Sequence, residues 1–153
     1  MENRHGLCLD IRVDAADGWS ERASAKVMLR HVKGRHGLKP KTVGMDMGYD
    51  DGPFLLSLEA EGIVPHVPVR RDRVVAEDPA AQARRRAKQR QKTKGYLLSQ
   101  RIRKRIEEIF GWFKTVGTLA RTRFIGRWKI GQEGVITAAA YNLLRLVRLE
   151  ATA

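Results

Sequence analysis

Gln100 to Lys114, QRIRKRIEEIFGWFK, is the stretch whose reading decides the rest of the chain. Wound as a helix at about 100° per residue, it places Ile102, Ile106, Ile109, Phe110 and Phe113 on one apolar stripe. Arg103, Glu107 and Lys114 fall within about 40° of one another on a second stripe beside it. The first stripe suits a core. The second holds a carboxylate between two cations, a fitting place for a metal ligand when the substrate is a polyanion. The plainer alternative is an i,i+4 pairing of Arg103 with Glu107, worth about 0.2–0.5 kcal/mol.

Composition narrows the partners. The 153 residues suffice for one domain with a core, and 42% hydrophobic content with three Trp argues for a folded chain. The single Cys8 excludes an internal disulfide and a cysteine-based zinc site, which suits a reducing cytosol. No apolar run reaches the ~18 residues of a membrane span. Met1 opens onto ENRHG rather than a signal peptide, so the expected location is cytoplasmic. The net charge of +13 points to a nucleic acid. From Arg70 to Arg105 there are 14 Lys and Arg against Asp72, Glu77 and Asp78, a local excess of +11. Tyr96 is the only aromatic residue there, so the segment is suited to phosphates rather than to stacking on bases.

Residues 7–13, LCLDIRV, read as a strand whose expected neighbour is missing from the chain before it. Asp17-Gly18 marks a turn, and Arg22 to Val32 a helix capped by Ser20, closed by Gly34 and Gly37, and packing Ala23, Val27 and Met28. Lys41 to Met45 is a short strand ending at Asp46, an acid at the sheet rim where α/β sites are assembled. Asp50 and Asp51 fit a turn or capping role better than Asp46 does. Pro53 opens a helix carrying Phe54, Leu55, Leu56 and Leu58, with Gly62 as its stop. Ile63 to Val69 is extended, and Pro65 and Pro68 confine it to an edge. His66 reads as structural. Residues 70–95 form a basic insertion in which Ala80 to Arg90 can be helical but lacks an apolar face, so it is expected to be mobile until it meets an anion. RTRFIGRWK (121–129) is a basic loop carrying Phe124 and Trp128. In the last helix, from Gly134 to Leu149, Val135, Ile136, Ala139, Leu143, Leu146 and Val147 suit packing across a sheet.

The order of elements, with TVGMDMGYD (42–50), RIEEIFGWFKTVG (105–117) and AAAYNLLRL (138–146), resembles the DDE transposases of the bacterial insertion-sequence IS4/IS5 superfamily across essentially the whole chain. That family's glutamate region carries Tyr-x2-Arg-x3-Glu-x6-Lys. Arg103, Glu107 and Lys114 match it at the required spacing and Phe110 stands at the family's aromatic position, but Gln100 occupies the tyrosine position and Tyr96 lies one turn earlier. The resemblance implies an α/β, RNase H-like fold in which acids hold two divalent metals for phosphodiester transfer. Asp46 would be the second acid and Glu107 the third, both ligating Mg²⁺ or Mn²⁺. Arg103 and Lys114 would position a DNA end through its phosphates. Arg84, Arg85, Arg86 and Lys88 of the basic segment would add sequence-independent contacts to duplex DNA.

The family's first acid lies upstream of the strand that LCLDIRV resembles, and Asp10 is on the wrong strand to replace it. The expectation is therefore a single catalytic-domain fragment over residues 1–153, incomplete at its N-terminus and carrying the 70–95 insertion. Its expected partners are duplex DNA and a second copy of the chain, with no membrane. The competing readings are a noncatalytic DNA-binding remnant that interferes with a full-length transposase, and a decayed reading frame.

Overall fold

Short apolar runs separated by glycine, proline and aspartate produce brief elements through the middle of the chain, between longer helices nearer its two ends. The computed structural model describes residues 1–70 and 78–151. Residues 71–77, the opening of the basic segment, and 152–153 lie outside the described residues. In chain order the elements are helix α1 (Ser20–His36), strand β1 (Thr42–Gly44), helix α2 (Gly52–Ala60), strand β2 (Val64–His66), then helices α3 (Pro79–Arg90), α4 (Lys94–Arg103), α5 (Arg105–Thr115) and α6 (Arg127–Glu150). Short 3₁₀ turns occupy Met47–Tyr49 and Leu119–Arg121. The architecture is mixed α/β, mostly helical with a small two-stranded sheet. The chain divides into two compact units, Lys39–Arg103 and Met1–Leu38 with Lys104–Ala153.

In the unit Lys39–Arg103, β1 and β2 run parallel, with Thr42 opposite Val64 and Gly44 opposite His66. Asp51 caps α2 by accepting from the Phe54 N–H (3.0 Å), and Pro53 follows in the first turn, where its missing N–H costs nothing. Phe54, Leu55 and Leu58 are then fully buried, each worth about 1.5–3 kcal/mol relative to exposure. Gly44 lets α4 approach β1 closely, since a Cβ there would stand 2.8 Å from Ser99 Oγ.

The basic segment behaves differently from its sequence reading. Its helix, α3, is capped by Asp78, which accepts from the Ala81 N–H at 2.7 Å. It has buried apolar positions after all: Ala81, Ala83 and Ala87 are buried, and the helix packs on α2. Three alanines make a weak signal in a periodicity search, yet their small volume brings the helices close together. A Cβ on Gly52 would meet the Ala80 carbonyl at 2.8 Å. Two acids of the α2 region take up the arginines on the flanks. Arg84 donates through Nε and Nη2 to the two carboxylate oxygens of Asp50, both at 2.8 Å. Arg86 (2.6 Å) and Arg90 (2.7 Å) converge on Glu59. Asp50 is thus an ion-pair acceptor rather than a cap.

In the other unit, Ile109 and Phe113 of α5 pack on Ala138 of α6, with Cys8, Ile11, Ile106, Trp112 and Tyr141 closing around them. LCLDIRV is not a strand. Side chains satisfy part of its backbone instead of a paired strand. Asn142 accepts from the Cys8 N–H and donates to the Cys8 carbonyl, both at 2.8 Å, imitating one rung of a ladder. The α1 helix runs through Gly34 and ends at Gly37, whose φ of 63° is the left-handed conformation that favours glycine. Asp17, not Ser20, serves its N-terminus, accepting from the Trp19 and Ser20 N–H groups and the Ser20 hydroxyl. Ala23 is exposed, and Ser24, Ala25 and Val32 are buried instead.

Two helix expectations are corrected. The single helix over Gln100–Lys114 is broken at Lys104 into α4 and α5, where the Glu107 N–H bonds the Lys104 carbonyl in a tightened turn. Arg101, Arg103, Lys104 and Arg105 crowd like charges into one turn there, and Arg101 and Arg105 stand at the repulsive i,i+4 spacing. The stripe also loses a member, since Phe110 is 50% exposed. On α6, Val135, Ile136, Leu143, Leu146 and Val147 are exposed. The buried face is Gly134, Thr137 and Ala138: Ala138 packs with Ile109 and Phe113 of α5, Thr137 lies against Gly117, and Gly134 leaves room for Ile11. Among the described residues, no helix is long and apolar enough to cross a membrane.

Candidate functional site

β1 is a three-residue strand and Asp46 follows its end. There the chain must turn, and Asp46 supplies the turn itself. Its Oδ1 accepts from the Gly48 N–H at 2.8 Å, with φ of −85° and extended ψ, capping the 3₁₀ turn Met47–Tyr49. The side-chain capping role assigned by sequence to Asp50 and Asp51 is filled by Asp51 and by Asp46, not by Asp50. The Asp46 side chain is exposed and sits at the C-terminal rim of the two parallel strands, the edge at which open α/β sheets gather ligands.

Gln100 is the residue that sequence reasoning missed. It appeared only as a departure from a motif. In the structure its Nε2 donates to the Met45 carbonyl (3.1 Å) and the His66 carbonyl (2.6 Å), which follow or close β1 and β2. These carbonyls continue the ladder, for the Met45 N–H also bonds the His66 carbonyl. The Gln100 Oε1 in turn accepts from Arg103 Nε at 3.2 Å. One carboxamide thus ties together the strand ends, the residue before Asp46, and the guanidinium of Arg103. The signal that could have exposed it is chemical: a side chain with both donors and an acceptor can bridge carbonyls and a cation, whereas a phenol has a single hydroxyl. Tyr96, one turn earlier, is buried. It is 9% exposed and meets His66 edge-on, ring centroids 5.9 Å apart. Burial, and then the charge of Arg90, hold the His66 imidazole below its ordinary pKa.

Glu107 and Lys114 belong to the other unit. Glu107 is exposed in the first turn of α5 and Lys114 is exposed in its last, so each also complements the helix dipole. Seven residues separate them, which places them two turns apart on one face. Of the four cations assigned to DNA in the basic segment, Arg84 and Arg86 are engaged by Asp50 and Glu59. Arg85 and Lys88 are exposed on α3.

Both candidate acids are oxygen donors of the kind that Mg²⁺ and Mn²⁺ take. The donor chemistry therefore fits a hard divalent ion. Among the described residues no group of three or more His, Cys, Asp or Glu side chains is gathered to hold a metal.

No curated protein and no solved structure matches the chain. A family match covers nearly all of it: residues 1–143 match the family described as Transposase DDE domain. The chain therefore belongs to the transposase DDE domain family.

Proposed function

We propose that this chain carries DNA-processing residues of an insertion-sequence transposase of the IS4/IS5 type, built on an RNase H-like plan, with Asp46 as the second acid and Glu107 as the third. Family membership supports DNA as the substrate. The observation that carries the reading is the rim of the small sheet, where Gln100 links Arg103 to the carbonyl of Met45, next to Asp46. A carboxylate and a guanidinium held on one rim suit a phosphodiester, with the cation on its oxygens.

Asp46 and Glu107 are the residues that would hold a divalent ion, which when bound supplies charge neutralisation at phosphate and a lowered pKa for water. Arg103 and Lys114 bind and orient the DNA end through its phosphates. Arg85 and Lys88, exposed on α3, add contacts along the duplex. Arg84 and Arg86 add positive field while remaining paired.

Only two acids of the family's motif are matched, and in-line transfer uses two metal ions. The 153-residue chain is accordingly expected to bind duplex DNA without nicking it in Mg²⁺ or Mn²⁺, which keeps the noncatalytic DNA-binding reading as the alternative. Two measurements test this. Duplex binding should weaken steeply with salt, and Mn²⁺ should broaden the backbone NMR signals around both Asp46 and Glu107. Broadening at only one of them would refute the shared ion. Metal-dependent nicking lost in Glu107→Ala would instead show a third acid elsewhere in the chain, Asp10 first. A homo-oligomer, the remaining proposed partner, is tested by sedimentation.

A further inference from the structure

The basic segment RTRFIGRWK, expected as a loop, instead opens α6 with its last three residues, and it contributes to a groove that the proposed chemistry leaves unused. The groove lies between the C-terminal end of α5 with the Gly117 and Thr118 that follow it, Phe124, and the first turns of α6, with a volume of about 660 Å³. Its wall includes the rings of Trp112, Phe124 and Trp128, and Lys129 and Gln132 supply polar groups. Trp128 is 73% exposed and Phe124 53%, so ring faces are left uncovered. Arg121, Arg123 and Lys129 are exposed on the same loop and the helix start that follows it.

The groove is held in shape. Thr118 has a φ of 59°, a conformation that costs a non-glycine residue and persists where its surroundings impose it. Glu133 ties this turn to α6 by accepting from the hydroxyls of Thr118 (2.9 Å) and Thr122 (2.5 Å). That carboxylate faces the groove but is engaged by the two threonines, and the surrounding charge is positive.

Flat apolar rings flanked by cations complement a ligand that offers both aromatic faces and negative charge. An apolar helix would use the rings and leave the cations without partners. Duplex DNA would use the cations, but its base faces are already stacked on one another. A single strand offers both. We propose that this groove binds a short run of unpaired nucleotides of a DNA strand, with bases stacked on Trp128 and Phe124 and phosphates met by Arg121, Arg123 and Lys129. The choice of DNA rests on the transposase reading above.

The chain's three tryptophans provide the assay. Trp19 lies outside the groove, so Trp19→Phe leaves only Trp112 and Trp128, both in its wall, as reporters. Adding a ten-nucleotide oligo-dT to this full-length variant should quench the fluorescence. Affinity, measured by anisotropy of labelled oligo-dT, should fall about tenfold or more in Trp128→Ala. The thermal melt should be unchanged, because that side chain is largely exposed. Arg123→Ala should weaken oligo-dT and reduce its salt dependence.

If the chain binds a hairpin duplex but not oligo-dT, or if Trp128→Ala binds oligo-dT as the parent does, the groove assignment is overturned while the transposase reading stands. If neither nucleic acid binds, the DNA reading fails and the groove assignment falls with it. Anionic phosphatidylserine vesicles that displace oligo-dT and shift the tryptophan emission to shorter wavelength would replace the proposal with a membrane surface.

Discussion

Replacing Arg84 with alanine separates two roles that the sequence assigned to one cluster of cations. The Asp50 side chain is 1% exposed, and Arg84 supplies two of its hydrogen bonds at 2.8 Å, with the Arg70 N–H adding a third at 3.0 Å. Burial alone would raise the Asp50 pKa, but Arg84 and the Arg70 N–H hold it below the ordinary carboxylate value. Removing one member of a buried pair costs about 3–5 kcal/mol because a charge is left uncompensated. The fold has an escape, which is to protonate Asp50. For a carboxyl of ordinary pKa 3.8 this costs about 4 kcal/mol at pH 7 and about 2 kcal/mol at pH 5, at 1.36 kcal/mol per unit. Burial makes protonation easier and the Arg70 N–H remains, so we expect a loss of about 3 kcal/mol at pH 7 that shrinks at pH 5. Urea denaturation at both values measures it. Lys88→Ala, on the exposed face, should stay within about 0.5 kcal/mol of the parent. An Arg84→Ala loss under 1 kcal/mol, or one that does not depend on pH, would refute the reasoning and return Arg84 to the surface.

Gln100 and Arg103 should act as one unit on DNA. Arg103→Ala and Gln100→Leu should each lower duplex affinity, and the double variant should lose little more than Arg103→Ala alone, giving a coupling of about 0.5–3 kcal/mol. Additive losses would show that Gln100 does not position the guanidinium. No effect of Arg103→Ala would remove Arg103 from the DNA contact altogether. Acid should destabilise the fold in two windows. His66 has its folded pKa lowered from 6.5 by burial and then by Arg90, so the unfolded chain gains that proton first and stability falls as pH drops below 6.5. Hydrogen bonds from the Ser24 hydroxyl and the Ala15 N–H, then from Arg12, hold Asp14 at about 2 instead of 3.8, so its contribution, present above 3.8, is lost as pH falls towards 2. Urea midpoints across pH should lose the first slope in His66→Gln and the second in Asp14→Asn, and unchanged slopes would contradict both assignments.

The transposase DDE family was legible in the sequence because the resemblance was read from residue types at fixed spacing, and the match over residues 1–143 bears out the family. Local chemistry was legible too: the Asp51–Pro53 start of α2, the Gly37 end of α1 and the strand leading to Asp46 follow from the conformations those residues allow. The buried face of α3 was not, because alanines carry little hydrophobic signal and become a face only when α2 is brought against them. Nor was the strand reading of LCLDIRV safe, since alternation marks a segment fit for a sheet but cannot provide the neighbour. A strand is a relation between two segments, and here the Asn142 carboxamide takes the neighbour's place. Gln100 shows the same limit at the candidate site. Its identity could be read from the chain, but its bonds to Met45, His66 and Arg103 exist only because tertiary packing brings the ends of two parallel strands to one turn of α4.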